Sequence, residues 1–124
     1  MRRGSQALWV ATVIGLTSLM PLAARAQDAL AGAKADLRKL VSLNEVYHAK
    51  NKKYASNISD LTSFHASVSV TVTLGTSTAN GWAASATSGS APGKSCVIFV
   101  GQVPPPKTQG GGLTGPEAVP VCDK

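Results

Sequence analysis

Residues 28 to 53 read DALAGAKADLRKLVSLNEVYHAKNKK, a stretch with no proline and a single glycine. Apolar side chains recur along it every three or four positions, which is the period of an α-helix with one apolar face. The apolar stripe of this helix contains Leu37, Leu40, Val41 and Tyr47. The pattern predicts an amphipathic helix from Asp28 to about Lys52. One helix with one apolar stripe needs a second surface against which to bury it.

That second surface is predicted in the later part of the chain. Residues 68 to 74, VSVTVTL, alternate strictly between apolar and polar side chains, as in a strand with one face on the core. Two further strand patterns follow, WAASATS at 82–88 and CVIFV at 96–100, and short turns separate the three. The pattern predicts an antiparallel meander whose apolar face the helix covers. The predicted sheet core consists of Val68, Val70, Val72, Trp82 and Ile98.

The only two cysteines of the chain are Cys96 and Cys122. In an oxidising compartment they would form one disulfide. Closing the loop from Cys96 to Cys122 would stabilise the folded protein by roughly 3.5 kcal/mol in the chain-entropy model. Metal binding is the alternative use of two cysteines, but no CxxC pair or nearby histidine accompanies them. The segment after Val100 is rich in proline and glycine, and we expect a surface loop that the disulfide closes.

The chain begins with a segment typical of an export signal. Two arginines precede an apolar run, and residues 24–26 provide the small-residue pattern of a cleavage site before Gln27. An uncleaved membrane anchor is the alternative, although the run falls short of the ~20 apolar residues that a stable span needs. The sequence therefore predicts a signal peptide or degenerate N-terminal anchor at residues 1–26, and one globular domain at residues 27–124.

The formal net charge of +6 overstates the basic character of the exported part. Three of the 12 Lys and Arg residues lie in residues 1–26, so the remainder carries about +3. Basic side chains on the predicted helix could follow a nucleic-acid backbone. Acidic residues interleave with them, however, and aromatic residues for base stacking are lacking, so a solvated face is favoured over a nucleic-acid partner.

Residues 89–95, GSAPGKS, end like the loop that binds nucleotide phosphates. Gly89 and Gly93 are one residue too close for that loop, and the chain then enters a predicted strand instead of a helix. We interpret the stretch as a hairpin turn. No nucleotide or other cofactor is expected.

The side chains that most often perform catalysis are few and scattered. His48 and His65 are the only histidines, and no serine lies in a G-x-S-x-G sequence. His48 falls at the edge of the helix stripe and is interpreted as packing. A calcium site near Glu117 and Asp123 would have few ligands. The chain is therefore predicted not to be an enzyme, with no catalytic, cofactor-binding or metal-binding residues.

The predicted helix and the residues after it resemble bacterial type IV pilins and the pseudopilins of type II secretion. The positions that match the helix pattern of that family are Asp36, Leu37, Arg38, Leu40, Glu45, Tyr47, Asn51, Tyr54 and Leu61. The later strand signals match at Val68, Val70, Gly81, Trp82 and Cys96, and Cys122 matches the second cysteine of the family. The N-terminus differs, because Trp9 stands where the family has a glutamate.

The resemblance implies an α+β fold in which a long N-terminal helix packs on a three- to four-stranded antiparallel sheet, with a disulfide-closed C-terminal loop. It also implies an exported, non-enzymatic structural or interaction protein of the bacterial envelope, in a type IV pilus or type II secretion context. The partners would be other pilin or secretion-system subunits, with membrane contact only if residues 1–26 are retained. The location would be periplasmic, extracellular or anchored in the inner membrane. The alternative is a soluble periplasmic or secreted binding module that uses the Pro/Gly-rich C-terminal loop.

Overall fold

The computed structural model describes residues 29–124, so the predicted signal peptide and its cleavage site lie outside the described residues. The elements are helix α1 (Ala31–Asn51), a 3-10 turn (Ile58–Asp60), and strands β1 (Val70–Ser77), β2 (Gly81–Ser88), β3 (Ser95–Gly101) and β4 (Val121–Cys122). The strands form one antiparallel sheet in the order β1-β2-β3-β4, and α1 packs on it. The predicted α+β class is confirmed, and the sheet, predicted to have three to four strands, has four.

Helix α1 is shorter than predicted and does not lie at the start of the chain. It contains 21 residues, which is about 32 Å at 1.5 Å per residue. Lys52 ends it with a φ of 62°, and its N–H donates a hydrogen bond to the carbonyl oxygen of His48 over 2.8 Å. A residue in this left-handed conformation ends many helices because it satisfies a carbonyl of the last turn.

The apolar stripe of α1 faces the sheet. Leu37 and Leu40 are fully buried, whereas Val41 and Tyr47 are half-buried at the edge of the core. On the facing strands, Trp82 and Ile98 are 0% and 1% exposed. Val70 and Val72 lie on β1, which is an edge strand of the sheet, and they are half-buried. The stripe and the sheet thus form one continuous core, which extends along the helix from Leu30 to Leu40.

The prediction that Val68 belongs to the sheet core is wrong, because its side chain is 93% exposed. Ser69 has a φ of 65°, in the left-handed region, and this interrupts the alternation that the sequence shows. Strand pairing therefore begins only at Val70, which lies opposite Ser88. The corner at residues 67–69 turns Val68 towards solvent.

The disulfide between Cys96 and Cys122 is confirmed, and it joins residues that lie directly opposite each other on β3 and β4. Strand β4 is only two residues long, but the pairing continues beside it. The N–H of Ala118 donates to the carbonyl oxygen of Phe99, and the N–H of Gly101 donates to the Glu117 carboxylate. The C-terminal segment therefore covers the edge of β3 over most of its length.

The Pro/Gly-rich segment also packs on the face of the sheet that is turned away from α1. Ala83 and Val97 lie on this outer face and are 6% and 3% exposed. Residues 104–106, all proline, line one groove together with Ala83, and the N–H of Gln109 donates to the Ser95 hydroxyl over 2.7 Å. The outer face is consequently covered around Ala83 on β2 and Val97 on β3, whereas Thr71 and Thr73 on β1 are exposed.

Candidate functional site

The buried carboxylate of Asp36 fastens the corner before β1 to the helix. One oxygen accepts the N–H of Ser67 at 2.7 Å, and the other accepts the Ser67 hydroxyl at 2.8 Å. Lys39 Nζ lies 3.6 Å from the second oxygen. A buried charge is tolerated only when it is paired and hydrogen-bonded, so this carboxylate is used to hold the fold. Asp36 lies one turn before Leu40 on the buried face, and that spacing is the signal that could have revealed its burial from sequence.

A second group of polar contacts holds the other end of α1. The side-chain oxygen of buried Asn44 accepts the N–H of Ala55 at 2.9 Å, and the Ser77 hydroxyl donates to the Ala55 carbonyl oxygen at 2.8 Å. Ala55 thus connects the helix to the last residue of β1. These contacts anchor both ends of the linker at residues 52–69, which runs back along the helix from its C-terminal end to Ser67.

His48 packs against Tyr54 near this end of the helix, with ring centroids 4.3 Å apart. Its Nε2 lies 3.1 Å from the carbonyl oxygen of Ala79 and donates to it in the tautomer that carries hydrogen on that nitrogen. The Tyr54 hydroxyl donates to Glu45 at 3.4 Å. Burial, followed by the negative charge of Glu45, raises the pKa of Tyr54 above its usual 10.0. The histidine thus joins α1 to the turn between β1 and β2.

The buried Asp123 carboxylate is the most highly coordinated polar group of the C-terminal segment. It accepts the N–H groups of Ser95, Gly110 and Gly111 at 2.9, 2.7 and 2.6 Å. Burial by itself raises the pKa of Asp123, but the hydrogen bonds from Thr108 and from these three N–H groups outweigh it and lower the pKa. From the sequence, Asp123 is a candidate only for a calcium site with few ligands, and nothing in the local pattern indicates this cluster of donors.

Glu117 and Asp123, the candidate calcium ligands, accept hydrogen bonds from different parts of the chain. Glu117 accepts the N–H of Gly101 at 2.7 Å, whereas Asp123 accepts donors of the 108–111 turn and of β3. Across residues 29–124, no group of three or more His, Cys, Asp or Glu side chains is arranged to hold a metal ion.

Residues 89–94 connect β2 to β3, so the Gly-Lys-Ser sequence leads into a strand. Gly93 has a φ of 77°, a conformation that glycine adopts without strain. Lys94 Nζ donates to the carbonyl oxygen of Lys124 at 2.6 Å.

A groove of about 400 Å³ lies between this connection and the glycines at 110 and 111, with Leu113 and Asp123 among its lining residues. A second groove of about 290 Å³ lies between the prolines at 104–106 and the outer face of the sheet.

The exposed large apolar side chains of the described residues are Val46, Val68 and Val119, at 55%, 93% and 46% exposure. Val46 lies on α1 and lines a groove of about 180 Å³ between the helix and the linker. Val68 lies at the other end of that linker. The sequence pattern does not indicate that Val46 is exposed, and it predicts Val68 in the core.

No family model and no curated protein sequence matches the chain. None of the helices between residues 29 and 124 combines the length and the apolar character that crossing a bilayer requires.

Proposed function

We propose that the chain is an exported, non-enzymatic, pilin-like domain that performs structural or interaction work in the bacterial envelope, related to minor pilins or to type II secretion pseudopilins. The observation that supports this proposal is the arrangement of α1 on a four-stranded antiparallel sheet whose last strand is joined to β3 by the Cys96–Cys122 disulfide. Its partners are other pilin or secretion-system subunits, and nucleotides and nucleic acids are not among them.

The use of the buried polar side chains supports a structural role. Asp36, Asn44 and Asp123 accept hydrogen bonds from backbone N–H groups of their own chain, and each of these bonds joins two different segments of the fold. Catalytic acids and bases need contact with a substrate. These three side chains instead hold the linker and the C-terminal segment against the helix and the sheet.

Export and processing can be tested together in the native host. Cells are treated with an alkylating reagent before lysis, and the redox state of the two cysteines is read by mass spectrometry, with the Cys96→Ser/Cys122→Ser variant as a control for labelling. We expect the pair to be oxidised and the protein to occur in membrane or surface-filament fractions. A reduced pair in a cytoplasmic fraction would refute the proposal.

The soluble binding module is the second candidate, and the two grooves that flank the C-terminal segment favour it. The N-terminal residue of the mature protein separates the two candidates. A mature protein that begins at Gln27 and occurs only in soluble fractions supports the binding module. An N-terminal segment retained in membranes supports the pilin-like subunit.

A further inference from the structure

The turn that leads from β1 into β2 contains an asparagine followed directly by a glycine, Asn80 and Gly81. Of the four asparagines in the chain, only this one precedes a glycine. The side-chain carbonyl carbon of an asparagine can be attacked by the backbone nitrogen of the next residue. Glycine hinders this approach least, because it has no side chain. The sequence therefore makes Asn80 the asparagine that is most open to such an attack.

The side-chain amide of Asn80 is accessible and unrestrained. Asn80 is exposed, and within residues 29–124 its side chain forms no hydrogen bond. Its contacts are made by the backbone: the N–H donates to the Thr78 hydroxyl at 3.1 Å, and the carbonyl oxygen accepts the N–H of Gln102 at 3.0 Å. These bonds hold the backbone of Asn80 and leave its side-chain amide free to rotate towards Gly81.

The nitrogen of Gly81 is not held by the hydrogen bond that would close the turn. The N–H of Thr78 donates to the carbonyl oxygen of Gly81 at 2.8 Å. Between these two described residues the reverse bond, from the N–H of Gly81 to the carbonyl oxygen of Thr78, is absent. A nitrogen in such a bond would have to give it up before reacting, at a cost in free energy. Gly81 is spared this cost.

Close packing against β3 requires a glycine at position 81. A Cβ there would lie 2.6 Å from the carbonyl oxygen of Val100 and 2.7 Å from the backbone nitrogen of Gln102. Neither Asn80 nor Gly81 has a positive φ, so the conformation of the turn is not what requires the glycine. The fold thus excludes the larger side chains that would shield Asn80 from attack.

We propose that Asn80 is a site of spontaneous deamidation. The backbone nitrogen of Gly81 forms a bond to the side-chain carbonyl carbon of Asn80, and the bond from that carbon to the side-chain nitrogen breaks. The side-chain nitrogen leaves as ammonia and takes with it the proton that the Gly81 nitrogen loses. Water then adds to one of the two carbonyl carbons of the resulting cyclic imide and breaks the bond from that carbon to the ring nitrogen. Water is the only other reactant.

The two directions of ring opening affect the hairpin differently. Opening at the former side-chain carbonyl gives aspartate and restores the original backbone. Opening at the backbone carbonyl gives isoaspartate, in which the main chain is one carbon longer. The Asn80 carbonyl oxygen accepts the N–H of Gln102 and lies against Gly101, where even a Cβ has no room. Isoaspartate should therefore disrupt the end of the β2–β3 pairing, whereas aspartate should leave it intact.

Both products replace a neutral amide with a carboxylate beside the contact between α1 and this turn. The new charge follows Ala79, whose carbonyl oxygen lies 3.1 Å from Nε2 of His48 on α1. The exposed Lys50 and Lys52 belong to the same end of the helix. Deamidation therefore reduces the positive charge of the surface where the helix meets the turn.

Asn57 provides a matched control within the same molecule. It is also exposed, but Ile58 follows it, and a β-branched side chain hinders the attack. Trypsin releases both asparagines in one peptide, residues 54–94, because no Lys or Arg lies between Lys53 and Lys94. Fragmentation of this peptide in a mass spectrometer therefore measures deamidation at both sites in the same sample.

The protein, purified as its host processes it, is incubated at mildly alkaline pH, folded and in guanidinium chloride. In the folded protein we expect Asn80 to deamidate at least about tenfold faster than Asn57. Asn80→Gln should stay unmodified at this position over the same time, because its longer side chain would have to close a larger ring. Asn80→Asp identifies the aspartate product by its retention in chromatography, and it should unfold at the urea midpoint of the wild-type protein.

The proposal is overturned if Asn80 in the folded protein reacts no faster than Asn57. It is equally overturned if Asn80 reacts in guanidinium chloride but stays intact in the folded protein, because the turn would then protect the site. Both outcomes leave the redox state and the location of the protein in cells unaffected, so they are distinguishable from a failure of the proposed envelope function.

Discussion

The substitution Asp123→Asn changes a side chain that holds the C-terminal segment together. Its carboxylate accepts the N–H groups of Ser95 and Gly110 on one oxygen and the N–H of Gly111 on the other. An asparagine of the same shape has one oxygen and one NH2 group. In either orientation of the amide, at least one backbone N–H therefore meets another donor instead of an acceptor.

The expected cost follows from these contacts. A hydrogen bond to a charged group contributes about 1.5–3 kcal/mol, and a buried donor left without an acceptor costs about 1–3 kcal/mol. Because Asp123 is 3% exposed, water compensates little of this loss. We expect the substitution to lower the free energy of unfolding by about 2–4 kcal/mol, a large share of the roughly 5–15 kcal/mol that stabilises a typical domain.

Urea unfolding at neutral pH measures this loss as a shift of the midpoint. Asp60→Asn is the matched control, because Asp60 is exposed and its side chain accepts one hydrogen bond, from the N–H of Asn57 over 3.3 Å in a capping box, which the asparagine oxygen can also accept. Its effect should stay within about 0.5 kcal/mol. Equal midpoints for the two variants would refute the structural role assigned to Asp123.

Because the pKa of Asp123 is lowered in the folded protein, the free energies of unfolding of the wild-type protein and of Asp123→Asn should depend differently on pH. A carboxyl group whose pKa is lower in the folded state contributes stability above its unfolded value, and this contribution is lost as the pH falls through the folded-state pKa. The ordinary value is 3.8, so the loss should begin near that pH and continue below it. The wild-type protein should lose stability in this window more steeply than Asp123→Asn. If the stability of the two proteins falls equally with pH in this window, the hydrogen-bonding role assigned to Asp123 is contradicted.

Three further outcomes test the core, the disulfide and the connection between β2 and β3. Leu40→Ala should cost about 2–5 kcal/mol because it leaves a cavity under the helix, while exposed Arg38→Ala should stay within about 0.5 kcal/mol; equal urea midpoints would exclude this packing. Denatured, unreduced protein should show no labelling of Cys96 or Cys122, and stoichiometric labelling would contradict the disulfide. Calorimetric titration with ATP and magnesium should show no binding, whereas binding abolished by Lys94→Ala would overturn the hairpin interpretation.

The helix and the sheet could be predicted from the sequence because their signals are local. Burial of one face of α1 requires apolar residues at the helical period, and this requirement is visible at Leu37 and Leu40. The alternation of Val70 and Val72 likewise reports which face of β1 lies on the core. The number of cysteines and their place in the chain indicated a single disulfide. The pilin-like function rests on resemblance in these same elements and stays a prediction.

The exposure of Val68 could not be predicted in this way. The alternation of residues 68–74 is the same whether pairing begins at Val68 or at Val70. The choice depends on the left-handed conformation of Ser69 and on the hydrogen bonds between Ser67 and Asp36, which join positions 31 residues apart in the chain. A single contact of this kind does not recur at regular intervals along the chain, so a periodic sequence pattern does not indicate it.

The packing of the C-terminal segment is likewise not visible in local sequence patterns. Its prolines and glycines indicate turns, and the sequence by itself determined that the segment forms no long regular element and that Cys122 fixes its end. Only the tertiary structure decided that it packs on the outer face of β2 and β3, where Ala83 and Val97 are buried. The reason is that this packing depends on single contacts, such as those of Asp123 with distant backbone N–H groups, which form only once the strands and the disulfide have brought the two parts of the chain together.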